Sequence, residues 1–208
     1  MSEDAVLQIQ RFNAARDPQR LQLKYLAMRG SPSAFLRGSC HLFYDRLAAA
    51  GLLRAAAPRV WVCGDLHLEN FGSYRADNGL VHFDISDCDE SALAPATCDL
   101  LRFLTSVRTG AEGLHIDRRR AEELCRGFVH AYAESLALGK AYWVERDTAQ
   151  GLVRRLLDRL QRGRRASFLD ARTVVKRNRR QLRIDGKKAF PASDEERSAV
   201  EDCVREFA

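Results

Sequence analysis

The tripeptide Asp77-Asn78-Gly79 separates two short runs of strand-forming residues, Phe71–Tyr74 and Leu80–Ile85. Asn and Gly tolerate the positive φ of a type I′ turn, so the runs are expected to fold back on each other as a hairpin. With Asn78-Gly79 as the turn, Tyr74 falls opposite Phe83 and Gly72 opposite Ile85. This has a long-range effect. The segment that ends at Asn70 and the segment that begins at Asp84 must emerge at the same end of the hairpin. Both are polar: Gly64-Asp65-Leu66-His67-Leu68-Glu69-Asn70 on one side and Phe83-Asp84-Ile85-Ser86-Asp87 on the other.

Helical patterns surround the hairpin. Residues 4–29 read as one helix with Val6, Leu7, Ile9, Phe12 and Ala15 on one side. Ser31-Pro32 starts a second, expected to run to Ala50, where Gly51 stops it. Arg59–Cys63 is β-branched and aromatic, hence a strand that Gly64-Asp65 ends. After Pro95, an apolar stripe of Leu100, Leu101, Phe103, Leu104 and Val107 predicts a helix. Asp117 caps another through Leu136, a further helix covers about 140–160, residues 163–188 are basic and irregular, and Asp194 opens the last helix. The class is α+β, mostly helical. The organisation expected is a main region over 1–152 and a basic helical segment over 153–208.

Asp65 and Asn70 sit five residues apart on a loop that leaves a strand. Phosphoryl transfer needs a carboxylate to orient or deprotonate the attacking hydroxyl, and an oxygen ligand for a metal, which a neutral amide can supply. His67, between them, is placed to support the loop by hydrogen bonding. Asp84, fourteen residues after Asn70, is a candidate Mg²⁺ ligand, and Asp87, Asp89 and Glu90 extend the oxygen-rich run. The acids after Asp87 equally suit a solvated turn. Asp99 starts an apolar helix, where it either caps the helix or braces the loop.

Composition narrows the classes. The chain of 208 residues is 46% hydrophobic, enough for a core, and no apolar run approaches the roughly 20 residues that cross a bilayer. Met-Ser-Glu-Asp opens with acids rather than the basic start of a secretory signal, so the expected location is cytoplasmic and the six cysteines are expected to be thiols. The net charge is +6, yet residues 153–188 hold 14 Lys/Arg and 3 Asp, or +11, which leaves 6 − 11 = −5 for the rest. Nucleic acid or another polyanion is a lesser reading of that stretch than a solvated helix face.

Gly-Asp-Leu-His-Leu-Glu-Asn resembles the His-Gly-Asp-x-x-x-x-Asn catalytic loop of aminoglycoside and choline kinase-like phosphotransferases, and Phe-Asp-Ile-Ser-Asp resembles their Ile-Asp-Phe-x-Asp. With Ser31-Pro32-Ser33-Ala34-Phe35-Leu36-Arg37-Gly38 and Cys88-Asp89-Glu90, the chain more closely resembles a bacterial family known as domain of unknown function 2252. The resemblance implies a protein-kinase-like C-lobe whose small hairpin carries the catalytic and metal loops. It also implies ATP and Mg²⁺ as cofactors and an unknown small-molecule or protein acceptor. Carried over by position, Asp65 is the catalytic acid, Asn70 and Asp84 are metal ligands, Asp87 is a secondary metal-site acid and Asp99 braces the loop. Arg37 and His67 are the expected cofactor-side contacts, Arg37 reaching a phosphate or the acidic cluster.

Two departures stand out. Cys63 occupies the usual His position, and no Gly-rich loop or strand lysine precedes Asp65. The only Val-x-Lys is Val174-Val175-Lys176, set in a basic run unlike a buried strand. The expectation is therefore the N-terminal part of a longer protein whose nucleotide-covering lobe is absent or incomplete here. Two alternatives accompany the phosphotransferase: a non-catalytic degenerate kinase-like or polyanion-binding module, and a metallophosphoesterase built on Asp65 and His67. The latter lacks the later Gly-Asp and Gly-Asn-His that such enzymes need.

Overall fold

A computed structural model describes residues 4–53, 57–186 and 189–207. Lys187 and Lys188 of the basic stretch, and Ala208, lie outside the described residues. The chain divides into two compact units, Met1–Leu157 and Asp158–Ala208. The division falls inside a helix, five residues past the expected 152/153 boundary. The coarse class is α+β and mostly helical. Among the described residues no helix is long and apolar enough to cross a membrane.

The first unit opens with two helices where the sequence suggests one: α1 (Ala5–Phe12) and α2 (Pro18–Met28). Pro18 disfavours helical backbone at Asp17, which instead caps α2 by accepting from the Arg20 amide at 2.8 Å. The next expected helix also breaks, into α3 (Pro32–Gly38) and α4 (Cys40–Ala49). Ser39, buried at the junction, donates its hydroxyl to Phe35 O at 2.6 Å. Ile9, Met28 and Leu42 form a small core under these helices.

Strand β1 (Arg59–Val62) pairs antiparallel with β4 (Ala92–Pro95), a strand the sequence did not announce. The hairpin is β2 (Phe71–Arg75) and β3 (Val81–Ile85). Its register is one residue off the expected one: Tyr74 lies opposite His82, Gly72 opposite Asp84 and Phe71 opposite Ile85. The reason is the turn. Asp77-Asn78-Gly79 forms a three-residue loop closed by Ala76 and Leu80, in which only Gly79 takes positive φ, 84°. Asn78 instead accepts the Leu80 amide through its side chain at 3.0 Å. The observed register sets Phe71 and Ile85 on one face, against the core of Cys63, Leu66, Phe103 and Val107. Strand β5 (Val144–Glu145) adds to β3, so the expected helix over 140–160 is replaced by β5 and α7 (Gly151–Arg162).

Helix α5 (Thr97–Gly110) runs behind the hairpin, and α6 (Arg118–Leu138) packs on α5. Asp117 caps α6 through the Arg120 amide at 2.8 Å, and Gly139 ends it at φ 63°. Phe128 of α6 meets Phe103 at 4.3 Å between ring centroids, and Phe71 meets Phe103 edge-on at 5.7 Å. Such pairs contribute about 0.5–1.5 kcal/mol beyond area burial and fix how the hairpin seats on α5.

The second unit is more ordered than its sequence suggests. It holds α8 (Arg165–Arg172), a ribbon of β6 (Thr173–Lys176) and β7 (Arg179–Leu182), and α9 (Asp194–Phe207). The Val174-Val175-Lys176 segment is thus a strand, with Val175 and Lys176 exposed.

Candidate functional site

The polar loop that leaves β1 is held by one face of α5. Asp99, Arg102 and Ser106 recur at helical spacing and each grips a different part of it. Asp99 accepts the amides of Cys63 at 2.7 Å and Gly64 at 3.0 Å. Arg102 donates to Asp65 Oδ1 from Nε at 3.0 Å and from Nη2 at 2.5 Å. Ser106 accepts the Leu68 amide at 3.1 Å. The expected apolar stripe of α5 is therefore interrupted by a fully buried guanidinium. Arg102 is 0% exposed; it also donates to Leu36 O at 2.7 Å and lies 4.9 Å from the centre of the Phe43 ring. Among the described residues its Nη1 has no hydrogen-bond partner. A charge this deep persists only because Asp65 balances it. Sequence reasoning missed Arg102 and Ser106. The available signal was three polar residues at helical spacing in an otherwise apolar helix.

Gly64 is required for two reasons. Its φ is 88°, and a Cβ there would meet Glu90 O at 2.1 Å. Its carbonyl accepts the Tyr44 hydroxyl and, at 3.7 Å, the Cys40 thiol. Burial pushes the Cys40 and Cys63 thiols up to about 12, so both stay protonated at neutral pH.

Asn70 joins the two polar segments. It is 3% exposed, and its Nδ2 donates to Asp65 O at 3.2 Å, Asp87 O at 2.9 Å and Cys63 Sγ at 3.2 Å. Its backbone carbonyl accepts the Ser86 amide at 2.9 Å and the Ser86 hydroxyl at 3.2 Å. Cys63 Sγ in turn donates to Asp87 O at 3.0 Å. The amide oxygen of Asn70 accepts the Ser86 hydroxyl at 3.5 Å.

The other expected site residues take these places. His67 is buried; its Nδ1 accepts the Glu69 amide at 3.1 Å and so caps the one-turn helix Leu68–Asn70. Burial, and next the Arg37 charge, hold its pKa below the ordinary value. Arg37 forms an exposed ion pair with Glu69 of the same loop. Asp84 is exposed and accepts the Ile85 amide at 2.8 Å, while the Asp87 side chain points from an exposed residue. In kind, the Asp84 and Asp87 carboxylates suit a hard cation, which often takes only one or two protein carboxylates. Among the described residues no three His, Cys, Asp or Glu side chains gather into a metal-binding group. A groove of about 670 Å³ opens beside the loop, lined by Ser31, Leu68, Glu69, Thr109, Glu112 and Leu114 among others.

A search of curated proteins and a search of solved structures find no match to this chain. A family model described as an uncharacterized protein conserved in bacteria (DUF2252) matches residues 16–208, which include the Gly64–Asn70 loop, the hairpin and α5. With nearly its whole length matched, the chain belongs to this DUF2252 family of bacterial proteins.

Proposed function

We propose that this protein is a kinase-like phosphotransferase that uses ATP and Mg²⁺ on a still unidentified acceptor. One observation carries the reading: Asn70 ties the Asp65 loop to the Asp84–Asp87 segment through the Asp87 carbonyl, so an acid for the acceptor and acids for a metal flank one fixed point. Asp84 and Asp87 would hold Mg²⁺, which when bound neutralises phosphate oxygens. Asp65, held at Oδ1 by Arg102, would orient the acceptor hydroxyl with its carboxylate. The role of α5 is pre-organisation: Asp99 and Ser106 remove the loop's freedom before any substrate arrives. The groove beside Leu68 and Glu69 falls within the roughly 300–1,000 Å³ of small-molecule sites and borders the loop that carries Asp65, whose own side chain does not line it.

Calorimetric titration of ATP with and without Mg²⁺ tests the reading. The expected result is Mg²⁺-dependent binding that Asp84→Ala weakens about tenfold or more, which is about 1.4 kcal/mol. Binding that Asp84→Ala leaves unchanged ends it. A second reading, a kinase-like scaffold without catalysis, draws on the convergence of Arg102 Nε and Nη2 on Asp65 Oδ1, an arrangement a purely structural acid would also adopt. ATP binding without phosphate transfer to any acceptor or to water favours that second reading.

A further inference from the structure

The second unit carries a feature that the proposed chemistry does not use. Between Arg162 and Arg183 there are nine Lys/Arg and a single acid, Asp170. That acid is already engaged, because Arg180 donates to it at 2.8 Å. Three of the other cations meet at the tip of the β6–β7 ribbon. Lys176 stands directly opposite Arg179, and Arg177 occupies the turn between them. All three are exposed.

Two local features oppose this ribbon when it stands alone. Like charges at directly opposed strand positions destabilise the pair. The turn is also strained. Arg177 and Asn178 take φ of 49° and 61°, the left-handed conformation that a two-residue hairpin requires and that Asn-Gly normally supplies. Arg at the first position costs roughly 1–2 kcal/mol relative to a residue at ease there. A solvated cationic face usually interleaves acids among its bases, and this one does not. Lys176, Arg177 and Arg179 meet at the tip despite both penalties, and a polyanion would relieve the repulsion between them.

Shape selects among polyanions. A two-stranded ribbon, with strands about 4.8 Å apart, enters the roughly 12 Å wide major groove of B-form DNA. The deep, narrow major groove of A-form RNA excludes it. Single strands need aromatic platforms, and the only aromatic between Arg162 and Arg183 is Phe168, which Arg172 already covers at 3.8 Å. We propose that the β6–β7 ribbon binds duplex DNA through its phosphate backbone, with Lys176, Arg177 and Arg179 as the contacts.

Fluorescence anisotropy on a labelled random-sequence duplex of about two helical turns, roughly 20 base pairs, tests this across a salt series with the full chain. The expected result is salt-dependent binding that K176Q/R177Q/R179Q weakens at least about tenfold, with the salt slope reduced by about 2.7, or 0.9 per lost contact. The control R118Q/R119Q/R120Q removes the same charge from exposed positions on α6 and is expected to bind as the parent does. Circular dichroism checks that each variant folds, and the single variant Arg177→Gly, which relaxes the turn, is expected to lower the slope by about 0.9. Equal loss in ribbon and control variants overturns the proposal, as does an unchanged slope in the ribbon variant. So does ribbon-dependent retention on phosphatidylserine-containing vesicles without duplex binding.

Discussion

The loop from Cys63 to Asn70 and the ribbon from Thr173 to Leu182 both put charged residues on short strands and tight turns, but they balance that charge in opposite ways. In the loop, the buried Arg102 faces Asp65, and the Cys63, Gly64 and Leu68 amides find side-chain acceptors on α5. In the ribbon, Lys176 faces Arg179 and both are open to water. A buried polar network persists only if its members are paired, so the loop is rigid by necessity. An exposed cationic ribbon tolerates its mismatch because water screens it, so its charges remain available to a partner. The loop is built to hold a geometry, and the ribbon to present a charge.

The strongest test of that contrast is Arg102→Met. It leaves the Asp65 carboxylate without its buried partner and should destabilise the first unit by about 3–5 kcal/mol. Urea unfolding followed by tryptophan fluorescence reads this directly, because Trp61 and Trp143, the only tryptophans, both lie in the first unit. An unchanged midpoint would show that the pair is not structural.

Gly64→Ala comes next. The added Cβ meets the Glu90 carbonyl at 2.1 Å while the backbone stays at φ 88°, so a loss of about 2 kcal/mol or more is expected in the same assay. The comparable change in the ribbon turn, Asn178→Gly, should be neutral or stabilising, and the opposite signs sharpen the comparison.

A smaller effect depends on pH. Burial lowers the folded pKa of His67 below its ordinary 6.5. The unfolded chain then binds more protons between those two values, so stability falls as pH drops below about 6.5. His41 has the same lowered pKa, from burial, and adds in the same direction. The urea midpoint should decrease from pH 7.5 to 5.5, and His67→Gln should flatten part of that decrease. A decrease of the same size in the variant would remove His67 from the explanation.

The smallest expected change is a gain. Lys176→Glu turns a repelling cross-strand pair into an attracting one with Arg179 and should stabilise the ribbon by roughly 0.2–1 kcal/mol. Hydrogen exchange of the β6 amides should slow by up to about fivefold. Faster exchange would mean that Lys176 and Arg179 do not repel.

Much of this was legible locally. Ser31-Pro32, Gly51 and Asp117 mark helix ends because a cap satisfies backbone groups within a few residues of itself. Asp17-Pro18 carried the same signal for the break between α1 and α2, and the apolar spacing around it obscured the stop. The hairpin was legible as an element and misread by one residue, since Asp77-Asn78-Gly79 suits a two-residue or a three-residue loop. Packing chose between them by setting Phe71 and Ile85 against Phe103. At the site, the two polar segments could be named and brought to one end of a hairpin from their order alone. Which atoms touch could not.

The sequence by itself determined the mostly helical α+β class, the hairpin, the Ser31 and Asp117 helix caps and the uneven charge, because each depends on residues close together in the chain. The tertiary structure alone decided that Asp65 is paired, that Asn70 joins two segments through its amide, and that β1 finds β4. Those contacts connect residues up to 37 positions apart, as in Arg102 to Asp65. Over such separations a local pattern holds no record of its partner; the cost of burying an unpaired charge selects it when the chain packs.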